Sequence, residues 1–197
     1  MYKFSYTSND KDYWEFNKYH LFNSSANKRG LLFLRLIIPI ALLIGSIVGM
    51  YEDGVPFDVF GILSLVLVCG GLSTIWWFLA KPFNLFFLWI NIRMIKKDGK
   101  LPYNSESFIE FNEEDFTEKT EQGESKVKYS IIEKVAIVKK WIYIYTNATR
   151  AYIIPDYVFE TTVQKDEFIE FIFTKAKNAT RDIKIDFTNY INNQSPN

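Results

Sequence analysis

Apolar residues are concentrated in two blocks of the chain, and elsewhere they alternate with polar residues or recur at helical spacing. The first block, residues 31–50, holds one charge, Arg35, and the second, residues 57–80, holds only Asp58 at its edge. About twenty helical residues at about 1.5 Å each span the roughly 30 Å hydrocarbon core of a bilayer. The pattern therefore predicts two transmembrane helices.

The segment between the two blocks, residues 51–56, is short and contains no Lys or Arg. Its length predicts a tight antiparallel hairpin. Basic residues flank the outer ends of the blocks instead, and positively charged flanks stay in the cytoplasm. No pattern of a removable signal peptide precedes the first block, so we expect that helix to be retained. We therefore expect a multi-pass protein of the plasma membrane with both termini in the cytoplasm.

Several side chains near the ends of the blocks are of the types that favour the interface between membrane and water. Aromatic rings and long basic side chains find both apolar and polar surroundings there. These residues are Arg35, Trp76, Trp77, Lys81, Arg93, Lys96 and Lys97. The lipid bilayer is therefore the first partner that the sequence predicts.

Residues 81–100 begin with apolar and aromatic side chains and end with basic ones, and Pro82 suits the first turn of a new helix. One interpretation is a juxtamembrane helix that lies in the interface and attracts anionic headgroups. The other is a stalk that extends the second transmembrane helix. Both interpretations stay open.

Small residues recur every four positions in the first block, at Ala41, Gly45 and Gly49, and permit close approach of another helix. One hypothesis is a dimerisation stripe in a homo-oligomer. The other, which we favour, is packing against Gly70 and Gly71 of the second helix.

The polar N-terminal segment, residues 1–30, predicts a strand over Lys3–Thr7 and then an amphipathic helix. Thr7 and Asp10 have the spacing of a capping box at the start of that helix. His20, the only histidine, shares a helix face with aromatic residues. We interpret it as a packed or capping residue and not as a catalyst.

Residues 101–177 show short alternating segments separated by turn residues, which predict an antiparallel meander. The predicted strands are 107–111, 115–120, 125–129, 134–139, 141–146 and 150–154. Thr161 and Gln164 then mark the start of one amphipathic helix that covers the sheet. Residues 178–197 form a polar tail. The fold class is α+β: a two-helix transmembrane hairpin plus a cytoplasmic, pleckstrin-homology-like domain closed by a C-terminal helix.

Several segments carry a resemblance to a known family. They are Asp12-Tyr13-Trp14-Glu15-Phe16-Asn17, the hairpin, Phe116–Thr120, residues 128–135, Trp141–Tyr145 and Ala151–Pro155. In these segments the chain resembles the YcxB-like family of small bacterial membrane proteins, over most of residues 2 to 176. The resemblance implies the same layout of anchor and domain, and no established catalytic residues come with it.

Signatures of catalysis and of metal binding are missing from the sequence. It has no glycine-rich phosphate loop, no metal-ligand spacing of Cys and His, and no nucleophile with a matching base. The one cysteine, Cys69, lies in an apolar block, where we interpret it as a packing residue. The acidic run from Glu110 to Glu121 lacks the loop pattern of a calcium site, so we interpret it as a solvated strand face. We expect no enzyme activity, no cofactor, no metal and no nucleic-acid partner.

Two groups of residues in the C-terminal domain are candidates for binding. Lys126, Lys128, Lys139 and Lys140 are candidates for a lipid headgroup site, although lysines also protect exposed sheet edges. Arg150, with the aromatic residues Trp141, Tyr143 and Tyr145, is a candidate for contact with a protein partner. We expect about half of those rings to face the core.

Two functions fit these patterns. The first is a membrane-anchored binding module, facing the cytoplasm, that recruits a protein or senses the inner leaflet. The second is an immunity or self-protection protein that acts against a toxin at the membrane. The net charge of zero excludes neither function.

Overall fold

The computed structural model describes residues 1–56, 58–99, 106–179 and 184–186. The chain divides into two compact units, the first made of residues 1–19 and 95–197, and the second of residues 20–94. The helices are α1 (Asp10–Asn23), α2 (Ser25–Glu52), α3 (Val59–Asp98) and α4 (Thr162–Ala179). The strands are β1 (Tyr2–Thr7), β2 (Glu106–Phe111), β3 (Asp115–Thr120), β4 (Gly123–Lys128), β5 (Lys134–Val138), β6 (Trp141–Tyr145), β7 (Ala151–Pro155) and β8 (Lys184–Asp186).

The second unit is built on the two long apolar helices. Asn27–Glu52 and Val59–Asp98 are each long and apolar enough to cross a membrane, which agrees with the two predicted blocks. The indole N–H of Trp76 donates to the Leu34 carbonyl at 3.2 Å, and the Cys69 thiol lies 3.2 Å from the Ser46 hydroxyl. Because residue numbers rise on one helix as they fall on the other, α2 and α3 are antiparallel, as predicted.

The tight turn between the two helices depends on one glycine near the start of α3. A Cβ atom on Gly61 would lie 2.4 Å from the Pro56 carbonyl oxygen, so no other residue fits without backbone movement. Gly61, Cys69 and Ala80 are the buried residues of α3. Their spacing follows the helical repeat, so they lie along one side of α3.

The predicted packing stripe is wrong in its residues. A Cβ atom on Gly45, Gly49, Gly70 or Gly71 would meet no other described atom within 4 Å. Ala41 is exposed as well, and Gly70 lines an apolar groove between the helices. One described contact between the helices is instead made by Cys69, whose thiol meets the Leu42 carbonyl and the Ser46 hydroxyl of α2.

Pro82 lies inside a helix and does not begin a new one. α3 runs through Pro82 without a break and ends at Asp98. Two residues after Pro82, the Asn84 side-chain amide donates to the Ala80 carbonyl at 2.6 Å. Residues 81–98 therefore extend the second apolar helix, which was one of the two open interpretations.

The first unit contains two four-stranded sheets, one in the order β1-β2-β3-β4 and the other in the order β7-β6-β5-β8. All six predicted C-terminal strands are present within one or two residues of their predicted ends. β1 pairs antiparallel with β2, with Phe4 opposite Ile109, and so supplies a seventh strand. β8 pairs parallel with β5, which the prediction of a purely antiparallel meander and a polar tail did not include.

The main core lies between the two sheets and α4. Its fully buried side chains are Ile109, Phe111, Phe116, Ile132, Val135, Ile137, Ile142, Ile144, Ile154, Phe168, Ile172 and Ala176. α4 begins as predicted: the Gln164 N–H donates to the Thr161 hydroxyl at 3.1 Å, and the Gln164 side chain accepts from the Glu160 N–H at 2.8 Å. This arrangement is a capping box that orients the helix over the core.

A second helix, α1, covers the other face of the second sheet. Phe16 and Tyr19 of α1 pack there with Trp141, Tyr143 and Tyr145 of β6. All five residues of β6 are buried, so the expectation that these aromatic rings form a partner surface is wrong. A strand that is covered on both faces has apolar residues at nearly every position. Its sequence therefore does not identify the element that covers each face.

The start of α1 also differs from the prediction. Asn9, and not Thr7, caps the helix, since its side-chain oxygen accepts the Lys11 N–H at 2.9 Å and the Asp12 N–H at 3.1 Å. The Asp12 carboxylate in turn accepts the Asn9 N–H at 2.9 Å. These bonds form a capping box two residues later than predicted, because Asn is as good a cap as Ser or Thr.

Candidate functional site

The four lysines predicted to form a headgroup site lie on two elements. Lys126 and Lys128 are exposed residues of β4, while Lys139 and Lys140 form the two-residue turn between β5 and β6. Lys126 is paired with Asp115 at 3.1 Å. Their joint binding of one headgroup stays a prediction.

Opposite charges alternate along the outer face of the first sheet, around Lys126. Lys3 lies 3.0 Å from Glu110, and Lys119 lies 3.6 Å from Glu124. Each of these cations therefore has a carboxylate on a neighbouring strand. Such a face attracts an anion less strongly than its lysine content suggests.

Arg150 lies just before β7 and is exposed, unlike the buried aromatic residues with which it was grouped. Its guanidinium donates to the Tyr152 hydroxyl at 3.3 Å and lies 5.6 Å from the centre of that ring. The exposed Arg150 is thus the part of the predicted protein-contact surface that is accessible.

A cleft of about 300 Å³ lies at the N-terminal end of α1. The residues that line it come from α1 and its cap, from the β5–β6 turn and β6, and from the segment after β7. They are Asn9, Lys11, Asp12, Lys140, Trp141, Asp156 and Tyr157. This cleft includes one of the predicted site lysines, Lys140.

Asp12 is the buried acid of the cleft, with only 2% of its surface exposed. It accepts the Trp141 indole N–H at 2.7 Å and the Tyr157 hydroxyl at 2.9 Å, besides the Asn9 N–H. Burial, followed by the hydrogen bond to Asp12, raises the pKa of Tyr157 and keeps it a donor. A buried carboxylate is tolerated only when donors surround it, and these three donors hold Asp12 in place.

Asp156, the second acid of the cleft, is also bound by the protein itself. Its carboxylate lies 2.6 Å from the ammonium of Lys165, and its N–H donates to the Lys140 carbonyl at 2.7 Å. By contrast, Lys11 and Lys140 form no ion pair with another described residue. The acids of the cleft are therefore satisfied, and its two lysines are the groups available to a ligand.

The β5–β6 turn holds Lys139 in a left-handed backbone conformation, with φ of 52°. A residue with a side chain rarely adopts this conformation, so the turn is mildly strained. The two-residue turn places Lys140 directly before Trp141, at the cleft. The cleft could not be predicted because Asp12, Lys140 and Asp156 are far apart along the chain.

A second polar cluster, which sequence reasoning missed, lies where β8 meets β5. The Lys134 ammonium donates to the Tyr19 hydroxyl at 2.6 Å and to the Asp186 carboxylate at 3.1 Å, and the Tyr19 hydroxyl donates to the same carboxylate. Burial, followed by the bond to Asp186, raises the pKa of Tyr19. The alternation Lys184-Ile185-Asp186 in the predicted tail was the signal available in the sequence.

Basic and aromatic residues predicted for the membrane interface lie together in the second unit. The Arg35 guanidinium lies 5.0 Å from the centre of the Trp77 ring, and Trp76 is bonded to the backbone of the same region of α2. The Lys81 ammonium lies 5.5 Å from the Phe22 ring, and the Arg93 guanidinium 5.1 Å from the Trp89 ring. Such pairs combine a charged end with an apolar body, as interface residues do.

The last turn of α3, which belongs to the first unit, carries the remaining predicted interface residues. Lys96 is bound by Asp10 of α1, and Lys97 is exposed. Among the described residues, no group of three or more His, Cys, Asp or Glu side chains is placed to hold a metal ion.

Comparison with known proteins gives one match. Residues 111–172 match the family described as YcxB-like protein, from the end of β2 to the middle of α4. The chain therefore contains a YcxB-like domain, as its resemblance indicated. No curated protein and no solved structure matches the chain.

Proposed function

We propose that the protein is a membrane-anchored binding module without catalytic activity. In this proposal α2 and α3 cross the plasma membrane as a hairpin, both termini lie in the cytoplasm, and the first unit binds an anionic lipid headgroup through the cleft beside α1. The observation that carries the binding step is the cleft itself: both of its acids are bound by protein donors, and Lys11 and Lys140 form no ion pair within the described part of the chain.

The division of the chain supports the topology. Residues 1–19 and 95–197 belong to one compact unit, which supports a topology with both parts on the same side of a bilayer. Two crossings satisfy this requirement, whereas one does not. The turn carries Glu52, Asp53 and Asp58 and no base, so the positive-inside rule assigns the shared side to the cytoplasm.

The arrangement of the first unit supports a pleckstrin-homology-like fold. Seven antiparallel strands in two sheets precede a helix that covers one end of the core. Domains of this layout bind lipids or peptides through loops between strands, and Lys139 and Lys140 occupy such a loop.

A footprinting experiment tests the headgroup proposal. The full chain is placed in nanodiscs of neutral lipid or of neutral lipid with anionic lipid, and lysine acetylation is followed by mass spectrometry. Lys11 and Lys140 are expected to react several-fold more slowly in anionic nanodiscs, and the protection should fade at high salt, because exposed charges are screened beyond about 8 Å at physiological ionic strength.

The control lysine is Lys128, which is exposed, forms no ion pair with any residue that the structure describes, and lies on the other sheet. Its labelling should not depend on the lipid. Equal labelling of Lys11 and Lys140 in both kinds of nanodisc contradicts the headgroup proposal, and protection of Lys128 alone moves the site to β4.

A labelling experiment tests the topology. In a Cys69→Ser background, Asp53→Cys in the turn is expected to react with an impermeant thiol reagent added to intact cells. Lys119→Cys, on exposed β3, should react only after the cells are opened. The reverse pattern assigns the first unit to the outside and contradicts the proposed topology.

An immunity or self-protection function stays the alternative. It shares the anchor and the absence of catalytic motifs, and no described feature favours it over headgroup binding. Gene neighbourhood separates the two, since an adjacent gene for a secreted toxin favours the alternative.

A further inference from the structure

The two acids of the headgroup cleft differ in how many of their oxygens are already bonded. Both carboxylate oxygens of Asp12 accept hydrogen bonds from the protein. In Asp156, one oxygen lies 2.6 Å from the Lys165 ammonium, and the other accepts no hydrogen bond from a described residue. The Asp156 side chain lines the cleft and is 38% exposed. Its charge is neutralised by Lys165, and its second oxygen remains an acceptor for a ligand.

Asn9 adds an uncharged donor to the same cleft. Its side-chain oxygen caps α1 by accepting the N–H groups of Lys11 and Asp12. The side-chain NH₂ group of Asn9 donates to no described residue, and Asn9 is exposed where it lines the cleft. The cap determines which end of the amide is the oxygen, so the nitrogen is the end left for a ligand.

The charges in and beside the cleft leave one positive charge in excess. The cations are Lys11, Lys140 and Lys165, and the carboxylates are Asp12 and Asp156. A phosphodiester has a single ionisable oxygen and carries one negative charge, whereas a phosphomonoester carries about 1.5 to 2 at pH 7. A phosphodiester therefore balances the charge of the cleft.

The cleft has room for more than a phosphate group. Its volume of about 300 Å³ is at the lower end of the range for pockets that hold a whole small molecule. Tyr157 lines it and is 55% exposed, and the Tyr157 hydroxyl is fixed by Asp12 and by the Thr7 carbonyl. A fixed aromatic ring gives apolar contact to carbon atoms that are attached to the phosphate.

We propose that the cleft binds a phosphoglycerol group, with the phosphodiester on Lys11 and Lys140 and the glycerol hydroxyls on Asp156 and Asn9. The inference rests on the proposed headgroup function and names its ligand class. A hydroxyl both donates and accepts, which matches one spare acceptor beside one spare donor. The source to which we assign the group is phosphatidylglycerol, because the module is anchored in a membrane. Free glycerophosphoglycerol has the same chemistry.

The test compares two lipids of equal charge. Phosphatidylglycerol and phosphatidylethanol are both phosphodiesters, but the ethanol group has no hydroxyl left to donate. The full chain is placed in nanodiscs of neutral lipid with increasing fractions of either lipid, and acetylation of Lys11 and Lys140 is followed by mass spectrometry. Half-maximal protection should need about tenfold less phosphatidylglycerol than phosphatidylethanol, because only the first forms the hydroxyl bonds.

A charge-neutral double substitution tests Asp156. Asp156→Ala with Lys165→Met removes the acceptor together with its cation, so no buried charge is left unpaired. It should raise the fraction of phosphatidylglycerol needed about fivefold and leave that of phosphatidylethanol unchanged, since only the hydroxyl contact is lost. The matched control is Lys119→Met with Glu124→Ala, which removes an exposed ion pair of the other sheet and should change neither value.

Asn9→Ser tests the donor. Serine also caps helices, so α1 keeps its cap and loses only the amide group. The fraction of phosphatidylglycerol needed should rise about twofold, since one uncharged hydrogen bond is lost. Amide exchange of β6 shows whether each variant is folded, and Asn9→Ser serves alone if the double variant is not.

The possible results separate this inference from the headgroup function. Equal protection by the two lipids overturns the phosphoglycerol assignment and leaves the headgroup function standing, whereas protection by neither lipid contradicts both. Preference for phosphatidylglycerol that survives in the folded variants also overturns the assignment. Soluble glycerophosphoglycerol, added to neutral nanodiscs at the same bulk concentration, should protect far less than the lipid. Equal protection by the soluble compound overturns the membrane source.

Discussion

Phe168 of α4 and Phe78 of α3 are the same side chain on two helices with opposite surroundings. Phe168 is 0% exposed and packs among the rings of the first unit, whereas Phe78 is 75% exposed in the second. In the first unit water drives the apolar faces together. In the second, the apolar side chains point outward, which suits a surrounding solvent that is itself apolar.

The two units also differ in the kind of polar contact that they contain. The first unit joins distant segments by buried charged hydrogen bonds, such as those of Asp12 and Lys134. In the second, Gly61 fits the tight turn, Cys69 contacts Ser46 of α2, and basic residues such as Arg35 lie against aromatic rings. The comparison indicates that one unit is stabilised by burial from water, and the other by close helix packing.

The largest expected effect comes from the matched pair of phenylalanines. Phe168→Ala should lower the free energy of unfolding of the first unit by about 3–5 kcal/mol, because it opens a cavity in a closed core. Phe78→Ala should change the helix signal of the second unit little, since its ring contacts solvent rather than protein. Chemical denaturation in micelles, followed by amide exchange on β2 and α3, measures both. Equal losses of stability in the two variants would contradict the comparison.

A smaller effect is expected from a pair of glycines in the second unit. Gly61→Ala places a methyl group against the Pro56 backbone and should destabilise the helix hairpin by about 1–3 kcal/mol. Gly45→Ala meets nothing and should be neutral or slightly stabilising, because alanine is the better helix former. Thermal unfolding followed by circular dichroism in micelles distinguishes them. If Gly45→Ala lowers the stability of the hairpin instead, the helices pack through the stripe that the sequence predicted.

The smallest effect concerns a carboxylate at the edge of the core. Burial raises the pKa of Glu118 above its ordinary value of 4.5, against the lowering effect of Arg150. The folded chain therefore keeps this proton at pH values where the unfolded chain has lost it, and stability falls as pH rises above 4.5. Glu118→Gln should be slightly more stable than the parent at neutral pH, and the difference should vanish below pH 4.5 in urea titrations. A difference that does not change with pH contradicts the assignment.

The sequence predicted the parts of the fold that depend on local pattern. The apolar blocks, the strand alternation and the Thr161–Gln164 box each lie within one element, where spacing alone carries the information. It did not predict that α1 covers β6, because a strand buried on both faces has no alternation to read. The cleft was missed for a related reason, since Asp12, Lys140 and Asp156 meet only after three separate segments have packed.

The predicted boundaries, which separated residues 1–30 from residues 101–177, differ from the observed division for the same reason. Residues 1–19 pair and pack with a domain whose other part begins after the second apolar helix. Composition changes sharply at the membrane segments and suggests a boundary on each side. The pairing of β1 with β2 joins two distant parts of the chain, and composition contains no signal of it.

That discontinuous unit also has a consequence for the order of synthesis. β1 and α1 leave the ribosome first, but the strands that they contact follow only after the two long apolar helices have been made. At about 5–20 residues per second, the roughly hundred residues between them take about 5 to 20 s. During that interval Phe16 and Tyr19 have no sheet to cover, and the nascent segment is open to chaperones or to wrong partners. Moving β1 and α1 to a position just before β2 should therefore speed maturation without changing the finished contacts of the domain.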